Sequence, residues 1–429
     1  MYKTIARENI SEIPNKSFRT YAERYLDIED QTNQSIENFG LPFNKEKSDI
    51  SKEEVIESGV VSRNEKKSLY LNWISPACRA CKKGERTITS IISLKCHKNC
   101  YFCFNPNQEN YGTFRVKDMD PVADLNERFL RGEKFDHIAL TGGEPLLHAK
   151  KAVEFFKFVH EKSKHTYTRL YTAGDLLTLE ILAALKSAHL NEIRFSIKQE
   201  ETEEQKEKLF GIMKLAKEYI PVVVVEMPVI PGTLEEMKQL LHRLNEIGIQ
   251  GINLLEFCFP MHNAEEFQKR GFELKFPPYE TYYNYWYAGG LAVNQSEEEC
   301  LRLLQYASEQ SLKLGVHYCS LENKHTGQLY QQNKGSRLPK LYSFSNTDYF
   351  FKSAKVFGED KQTVADRLQK QGIKSYEVDS SFDSLQFPLS AIKYLKGTQV
   401  DIAVCSFVSE NRDGEEVLRE VKVEWTTPK

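Results

Sequence analysis

The sequence lacks the features that mark membrane, secreted and nucleic-acid-binding chains. It has no apolar run of about 18 residues, so it offers no membrane-spanning helix. The N-terminal segment Met1–Asn9 lacks the apolar core of a signal peptide. Charges almost balance, with 58 Lys and Arg against 61 Asp and Glu and a net charge of -3, which argues against a broad basic surface for nucleic acids. We therefore expect a cytoplasmic protein without a membrane partner.

Nine cysteines are present, and their spacing favours metal binding over disulfides in a chain with no secretion signal. Cys96, Cys100 and Cys103 form a CxxxCxxC pattern that puts three thiolates in one short loop. Structural metal sites normally have four ligands. A [4Fe-4S] cluster held by three cysteines leaves one iron open for a small molecule. The alternative is a zinc knuckle that borrows a fourth ligand, for instance His97.

A second motif, Thr-Gly-Gly-Glu-Pro at 141–145, directly follows the apolar run His137–Leu140. Its two glycines allow a close approach of the backbone to a ligand and permit positive φ. Exposed carbonyls and the Glu144 carboxylate are acceptors that an ammonium group needs. In isolation, the same motif would read as an ordinary turn between a strand and a helix.

Together the two motifs resemble the radical S-adenosylmethionine (SAM) superfamily, whose cysteine pattern carries an aromatic residue where this chain has Phe102. The resemblance implies a [4Fe-4S] cluster on Cys96, Cys100 and Cys103, with SAM chelating the open iron. It also implies contacts from the protein to SAM, with the aromatic residue near the adenine and the Gly-Gly-Glu-Pro motif at the amino group. The residues concerned are Phe102, Thr141, Gly142, Gly143 and Glu144.

Further SAM contacts are expected where later strands end. The segment Arg194–Lys198 alternates polar and apolar residues, so Ser196 and Lys198 should lie on one face. This segment resembles the Leu-Asp-Leu-Lys segment of glycyl-radical-activating members, with Ser196 in place of the acid. Thr172 and Glu226 are additional candidates. The alternative is a solvated strand end.

Strand and helix patterns alternate after residue 69 and predict an α/β fold with a parallel sheet. Six such units fit a partial (βα)6 barrel, which the resemblance selects over a doubly wound open sheet. The predicted organisation is an N-terminal extension or cap (1–68), a barrel core (69–260), a post-barrel segment (261–339) and a small C-terminal α/β domain (340–429). An aromatic stretch at 279–287 is interpreted as core packing or a lid, or else a surface on which a substrate stacks.

A second set of cysteines comprises Cys78 and Cys81, in a CxxC pair, and the much later Cys319. They are candidate ligands for a second Fe-S cluster or zinc, completed by His317 or a substrate atom. Free thiols and a redox pair are the alternatives. The segment 70–335, with this Cys-Arg-x-Cys and a late His-Tyr-Cys, resembles a largely uncharacterised, mainly archaeal group related to pyruvate formate-lyase activating enzymes. The remaining isolated cysteines, Cys258, Cys300 and Cys405, are predicted to be buried small hydrophobes.

The resemblance implies reductive cleavage of SAM to a 5′-deoxyadenosyl radical that abstracts hydrogen from the substrate, with flavodoxin or ferredoxin as electron donor. We expect a protein or peptide substrate, including the installation of a glycyl radical. The rival hypotheses are chemistry on a small metabolite or a tRNA nucleotide, and a non-catalytic Fe-S or metal scaffold. An acidic C-terminal end, with Glu415, Glu416, Glu420 and Glu424, suits a peptide or protein better than RNA phosphates.

Overall fold

The computed structural model describes residues 2–46, 48–281 and 290–428. The chain divides into two compact units, one made of 41–278 and 288–324, the other of 1–40, 279–287 and 325–429. These bounds differ from the predicted ones at 68, 260 and 339. They differ because residues 1–40 pack with the C-terminal strands, and because residues beyond 260 return to the large sheet.

The larger unit is built on a nine-stranded sheet in which seven neighbouring strands are parallel. The first and last strands of this order are not paired with each other, so the sheet is an open, partial barrel. In spatial order the strands are Val61–Arg63, Ser68–Leu71, Gly315–Cys319, Gly251–Glu256, Val222–Val229, Glu192–Phe195, Tyr167–Thr172, His137–Thr141 and Thr87–Ile91.

Six of the parallel strands were predicted, but the sheet contains a seventh, Gly315–Cys319. This strand pairs with Gly251–Glu256 in parallel and with Ser68–Leu71 in antiparallel orientation. The long connection after Glu256 interrupts the regular alternation, which is why the pattern alone did not assign this strand to the barrel. The His317-Tyr-Cys319 motif is therefore part of the sheet and not of a separate segment.

Amphipathic helices connect the parallel strands and bury one face against the sheet. The helix Ala149–Lys162 buries Phe155, Phe156 and Val159, close to the spacing of three or four that predicted it. Thr202 begins the helix Glu203–Tyr219 with a capping box, in which its hydroxyl accepts from the Gln205 N–H. The long helices are Pro121–Leu130, Ala149–Lys162, Leu179–Ser187, Glu203–Tyr219, Leu234–Ile247 and Ser296–Glu309.

Shorter elements complete this unit. Two small two-stranded sheets pair Phe43–Asn44 with Leu274–Lys275, and Cys258–Phe259 with Leu291–Ala292. The short α-helices are Lys52–Glu57, Pro76–Ala80, Tyr111–Phe114 and Ala264–Gln268, and the 3-10 turns are Asn105–Asn107 and Pro145–His148. The helix Leu321–Asn333 follows the last parallel strand.

The other unit is an antiparallel sheet packed against helices. The 22-residue helix Lys16–Glu37 was not predicted, because only Phe18, Ala22, Leu26 and Ile36 of this polar segment are buried. The strands are Lys3–Thr4, Ser343–Phe344, Phe351–Phe357, Glu377–Asp379, Ser384–Phe387, Ile402–Arg412 and Glu415–Thr426. The remaining helical segments are Ile10–Glu12, Asp360–Lys370 and Leu389–Leu395.

Residues 282–287 of the predicted aromatic stretch lie outside the described residues, so its interpretation stays a prediction. Of the helices in the described ranges, none combines the length and apolar character needed to cross a membrane.

Candidate active site

The loop that carries Cys96, Cys100 and Cys103 leaves the carboxyl end of the strand Thr87–Ile91, which is the end where α/β barrels keep their chemistry. Its path is set by backbone hydrogen bonds, such as Cys103 N–H to Cys100 O at 3.1 Å. Cys96 is exposed, and the other two thiols are half-buried. The three sulfurs are therefore accessible to a ligand that approaches the end of the sheet.

The Gly-Gly turn lies directly against this loop. The Gly143 N–H donates to Ser93 O at 3.0 Å, and the Asn105 side-chain amide donates to Gly142 O at 2.8 Å. A Cβ on Gly143 would lie 1.9 Å from Lys95 O, and one on Gly142, whose φ is +123°, would lie 2.5 Å from Ser93 O. Only glycine fits at these two positions, because any side chain would push the two segments apart.

Glu144 is buried and is held by donors from the protein itself. Its carboxylate accepts from Leu146 N–H at 2.9 Å, from the Thr172 hydroxyl at 2.8 Å and from Ala173 N–H at 2.7 Å. Burial raises the pKa of this carboxyl group, and the hydrogen bonds oppose the rise. Glu144 thus ties the turn after Thr141 to the end of the next strand, a contact that sequence reasoning did not anticipate. The Thr172 hydroxyl is used in the same link, since it also accepts from Gly174 N–H at 2.9 Å.

Ser196 and Lys198 lie on the same side of the chain, because the Lys198 ammonium donates to the Ser196 hydroxyl at 2.5 Å. Desolvation raises the pKa of Cys96, Cys100 and Cys103, and the Lys198 charge lowers the pKa of all three. The ammonium is therefore close enough to act on every thiol of the loop.

The outer side of the loop is held by a segment that sequence reasoning missed. His262 Nε2 lies 3.0 Å from Cys103 O, and the Asn263 amide donates to Tyr101 O at 3.1 Å. Phe102 packs edge-on against Phe257, with ring centroids 5.6 Å apart. The sequence signal was the polar pair His262-Asn263, two residues after Pro260 and just beyond the sixth predicted unit.

His97, the candidate fourth ligand of a zinc knuckle, contacts a carboxylate instead. Its Nε2 lies 2.8 and 3.0 Å from the two carboxylate oxygens of Asp175. Lys98 reaches the same carboxylate at 2.9 Å. The ion pairs connect the loop to the end of the strand Tyr167–Thr172, so this part of the loop is anchored by charge.

The second set of cysteines, Cys78, Cys81 and Cys319, lines one cavity of about 180 Å³ within the larger unit. Cys78 is half-buried, Cys81 exposed and Cys319 buried. Both nitrogens of His317 are already engaged, Nδ1 with Asn253 Oδ1 and Nε2 with the Ser68 hydroxyl, each at 2.9 Å. His317 therefore has no nitrogen left to complete a metal site in this arrangement.

The isolated cysteines Cys258, Cys300 and Cys405 are buried. Burial raises the pKa of Cys258 to about 12 and raises the pKa of the other two as well. All three are neutral thiols at physiological pH.

Known proteins resemble this chain in sequence. Residues 90–269 match the model of the radical SAM superfamily. A curated relative from Methanocaldococcus jannaschii, provisionally named a glycyl-radical enzyme activating enzyme, is 27% identical over 348 residues, which are 78% of this chain and 88% of the relative. Residues 90–269 are therefore a radical SAM domain. The chain carries the domain of radical SAM enzymes, which use a [4Fe-4S] cluster and SAM as cofactors, and it resembles the group related to pyruvate formate-lyase activating enzymes.

Solved structures resemble the chain over part of its length. SuiB from Streptococcus suis is 12% identical with a TM-score of 0.38, over 59% of this chain and 53% of that one. The protein anSMEcpe with bound AdoMet and a Cp18Cys peptide is 18% identical with a TM-score of 0.30, over 39% of this chain and 50% of that one. The chain thus spans about half the length of these two proteins, and at such scores their ligands carry no conclusion for this one.

Proposed function

We propose that Cys96, Cys100 and Cys103 ligate the cluster and that the enzyme uses SAM to abstract hydrogen from a protein or peptide substrate. The observation that carries this proposal is the contact between the cysteine loop and the Gly-Gly turn. Both segments lie at the carboxyl ends of neighbouring parallel strands, and hydrogen bonds at Gly142 and Gly143 join them. A ligand that touches one segment is therefore within reach of the other.

The donor set fits a cluster better than a single ion. Within the described ranges, no three side chains of His, Cys, Asp or Glu are arranged to hold one metal ion. Three cysteines of a [4Fe-4S] cluster each ligate a different iron, so they surround a volume and do not converge on one point. Thiolates are also the ligands that such clusters require.

The residues around the loop have separate tasks. The turn of Thr141, Gly142 and Gly143 packs directly against the cysteine loop, so its backbone would lie beside a ligand of the cluster. Glu144 and Thr172 act as positioning residues, because their mutual hydrogen bond fixes the ends of two strands. Phe102 is one aromatic wall, and the Ser196–Lys198 pair supplies a cation and a hydroxyl opposite the thiols, suited to the carboxylate of SAM.

When bound, the cluster supplies the electron that cleaves SAM to methionine and the 5′-deoxyadenosyl radical that takes hydrogen from the substrate. The protein's contribution is to orient the reactants and to exclude water. Cys96 is exposed, so a flavodoxin or ferredoxin could approach the loop closely enough to donate the electron.

The archaeal relative's name supports a protein substrate, because activating enzymes of that kind act on another protein. A small metabolite or a tRNA nucleotide is the competing substrate class.

Anaerobic reconstitution with iron and sulfide tests the cluster assignment. We expect about four irons per chain and formation of 5′-deoxyadenosine after reduction. Both should be lost in the Cys96/Cys100/Cys103 triple-Ala variant. Iron and product that survive in the triple variant would contradict the assignment.

The substrate class can be tested with an extract of the host, which should stimulate SAM cleavage by the reconstituted enzyme. Stimulation that protease treatment abolishes indicates a protein or peptide. If the stimulation survives protease but not ribonuclease, the substrate is RNA. If it survives both, the substrate is a small metabolite.

A further inference from the structure

The cavity that contains the second set of cysteines has a charged wall that no part of the proposed function uses. Its residues come from five adjacent parallel strands, from the segment around the helix Pro76–Ala80 and from the start of the helix Leu321–Asn333. Arg169, Arg194 and Lys324 line it as cations, and Glu226 lines it as an anion. Buried charges are costly unless they are paired, so each of these charged groups should have a partner.

Arg194 is fully neutralised by the protein. It pairs with the Glu192 and Glu226 carboxylates, and it also donates to the Ser75 hydroxyl at 3.1 Å. Glu226 accepts in addition from the Asn253 amide at 2.7 Å. One guanidinium between two carboxylates leaves this part of the wall slightly negative.

Arg169 has no such partners. Its Nε is buried without a hydrogen-bond acceptor, and its side chain forms no ion pair or hydrogen bond among the described residues. The Tyr171 ring lies 5.8 Å from its guanidinium carbon, measured to the ring centroid, and Cys78 and Glu192 act on its charge without forming a hydrogen bond to it. A buried guanidinium nitrogen that lacks an acceptor is costly, so this group is poised to receive an anion.

Lys324 adds a second positive charge to the same cavity. Its ammonium also forms no ion pair or hydrogen bond within the part of the chain that the structure describes. Two unpaired cations thus face one cavity, and the Arg194 group supplies at most one surplus negative charge to offset them.

A metal on the three thiols is the competing occupant. The sulfurs of Cys78 and Cys319 accept hydrogen bonds from Asn253 at 3.3 Å and from Asn323 at 3.2 Å. His317 is fully engaged and offers no nitrogen to a metal. The unpaired cations favour an occupant that carries negative charge of its own, such as a carboxylate.

We propose that this cavity binds a small carboxylate, either a free acid or an acidic group of the substrate, through Arg169 with support from Lys324. The guanidinium can bind a carboxylate with two parallel hydrogen bonds. The cavity volume of about 180 Å³ limits the size of the molecule that can bind there. A cavity of roughly 150 Å³ holds a benzene molecule, so a carboxylate with a short carbon chain fits.

The position of the cavity connects it to the reaction, a step that rests on the proposed function. Arg194, Ser196 and Lys198 alternate along one segment, and Lys198 acts on the thiols of the loop. Two residues of extended chain span about 7 Å. A carboxylate held beside Arg194 would thus lie below the loop on the same face and would anchor a substrate there.

Calorimetric titration of the reconstituted enzyme with butyrate tests the site, with butyramide as the neutral isostere. We expect butyrate to bind, and butyramide to bind at least about tenfold more weakly, because charge-assisted hydrogen bonds are lost. Arg169→Gln should weaken butyrate binding to a similar extent, and Lys324→Gln to a smaller one. Arg169→Lys keeps the charge and should retain part of the affinity, which guards against a variant that merely fails to fold.

Arg131→Gln, at an exposed arginine that pairs with Glu133, is the matched control and should bind butyrate as the unmodified enzyme does. Equal binding of butyrate and butyramide, or equal affinity in folded Arg169→Gln, would overturn the proposal. Iron or zinc that persists in the Cys96/Cys100/Cys103 triple-Ala variant and disappears with Cys81→Ser would overturn it in favour of a metal site. Butyrate binding by an enzyme that fails to cleave SAM would leave the carboxylate site in place and refute the proposed function alone.

Discussion

The two sets of cysteines occupy the same unit but are held in different ways. The loop thiols receive hydrogen bonds from the backbone, such as that from Lys98 N–H to Cys96 Sγ at 3.4 Å. In the cavity, side chains donate to sulfur: Arg194 and Asn253 contact Cys78 at 3.4 and 3.3 Å. The first set has open surroundings, and the second is enclosed by charged and amide groups.

This difference indicates separate roles. A loop positioned by its own backbone can place thiols around an incoming group without breaking side-chain contacts. In the cavity, by contrast, side chains from two parallel strands fix the sulfur of Cys78. Substitutions in the two sets should therefore have separable consequences.

The largest expected effect is that of Cys100→Ala. We expect the loss of one of three ligands to abolish both the [4Fe-4S] absorbance and the formation of 5′-deoxyadenosine. Cys81→Ala, in the cavity, should keep the cluster and its SAM cleavage. Iron analysis and chromatography of the products on both variants measure the contrast. Equal losses in the two variants would show that the two sets form one site.

Gly143→Ala is expected to have the next largest effect. Its Cβ would lie 1.9 Å from Lys95 O, so the loop must move away from the turn. A displacement of about 1 Å costs roughly a hundredfold in rate when it misaligns reacting groups. Gly211→Ala is the control, because a Cβ there meets nothing within 4 Å and a helix interior favours alanine by about 0.5–1 kcal/mol.

In the Gly143→Ala variant, the rate of SAM cleavage should fall, while the alkylation rate of Cys78 in the cluster-free protein should not change. An unaltered cleavage rate would mean that the turn does not define the SAM site.

Much of this architecture could be predicted, because strand and helix periodicities are local. The helices Ala149–Lys162 and Leu179–Ser187 begin and end where the pattern placed them. The strand Gly315–Cys319 was not assigned to the sheet, since its partner Gly251–Glu256 lies some sixty residues earlier and an irregular connection intervenes.

The cysteine and glycine motifs could also be recognised in the sequence, but the residues that contact them could not. The cysteine and glycine motifs are readable because their spacing is short. The carboxylate of Glu144 finds its donors at Thr172 and Ala173, 28 and 29 residues later, and the unpaired state of Arg169 follows from its neighbours in space. No local pattern encodes either feature.

Glu144→Gln should have a moderate effect on stability. An amide can accept on one oxygen only, so one or more of the three donors loses its partner, at a cost of about 1–3 kcal/mol. Thermal unfolding of the cluster-free protein measures this cost, and Glu161→Gln on an exposed helix surface is the control. A variant as stable as the control would show that the link between the two strand ends is not needed.

The same variant has a defined pH dependence. Because the folded pKa of Glu144 is raised, the unfolded chain releases this proton first as the pH rises. The contribution of the carboxyl group to stability is thus fully present below its ordinary pKa of about 4.3, and it decreases as the pH rises through the folded pKa. The stability difference between the unmodified protein and Glu144→Gln should therefore shrink with rising pH across that window.

Lys198→Gln should have the smallest effect. It compares the reactivity of the loop thiols with that of the cavity thiols. The Lys198 ammonium lowers the pKa of Cys96, Cys100 and Cys103, so its loss should reduce their thiolate populations and slow alkylation roughly two- to threefold. The cavity thiol Cys78 lies beside Arg194 and should react at an unchanged rate. Lys134→Gln, at an exposed lysine, is the matched control. Mass spectrometry of the alkylated cluster-free protein resolves each cysteine, and equal slowing at Cys78 and at the loop thiols would contradict the electrostatic separation of the two sets.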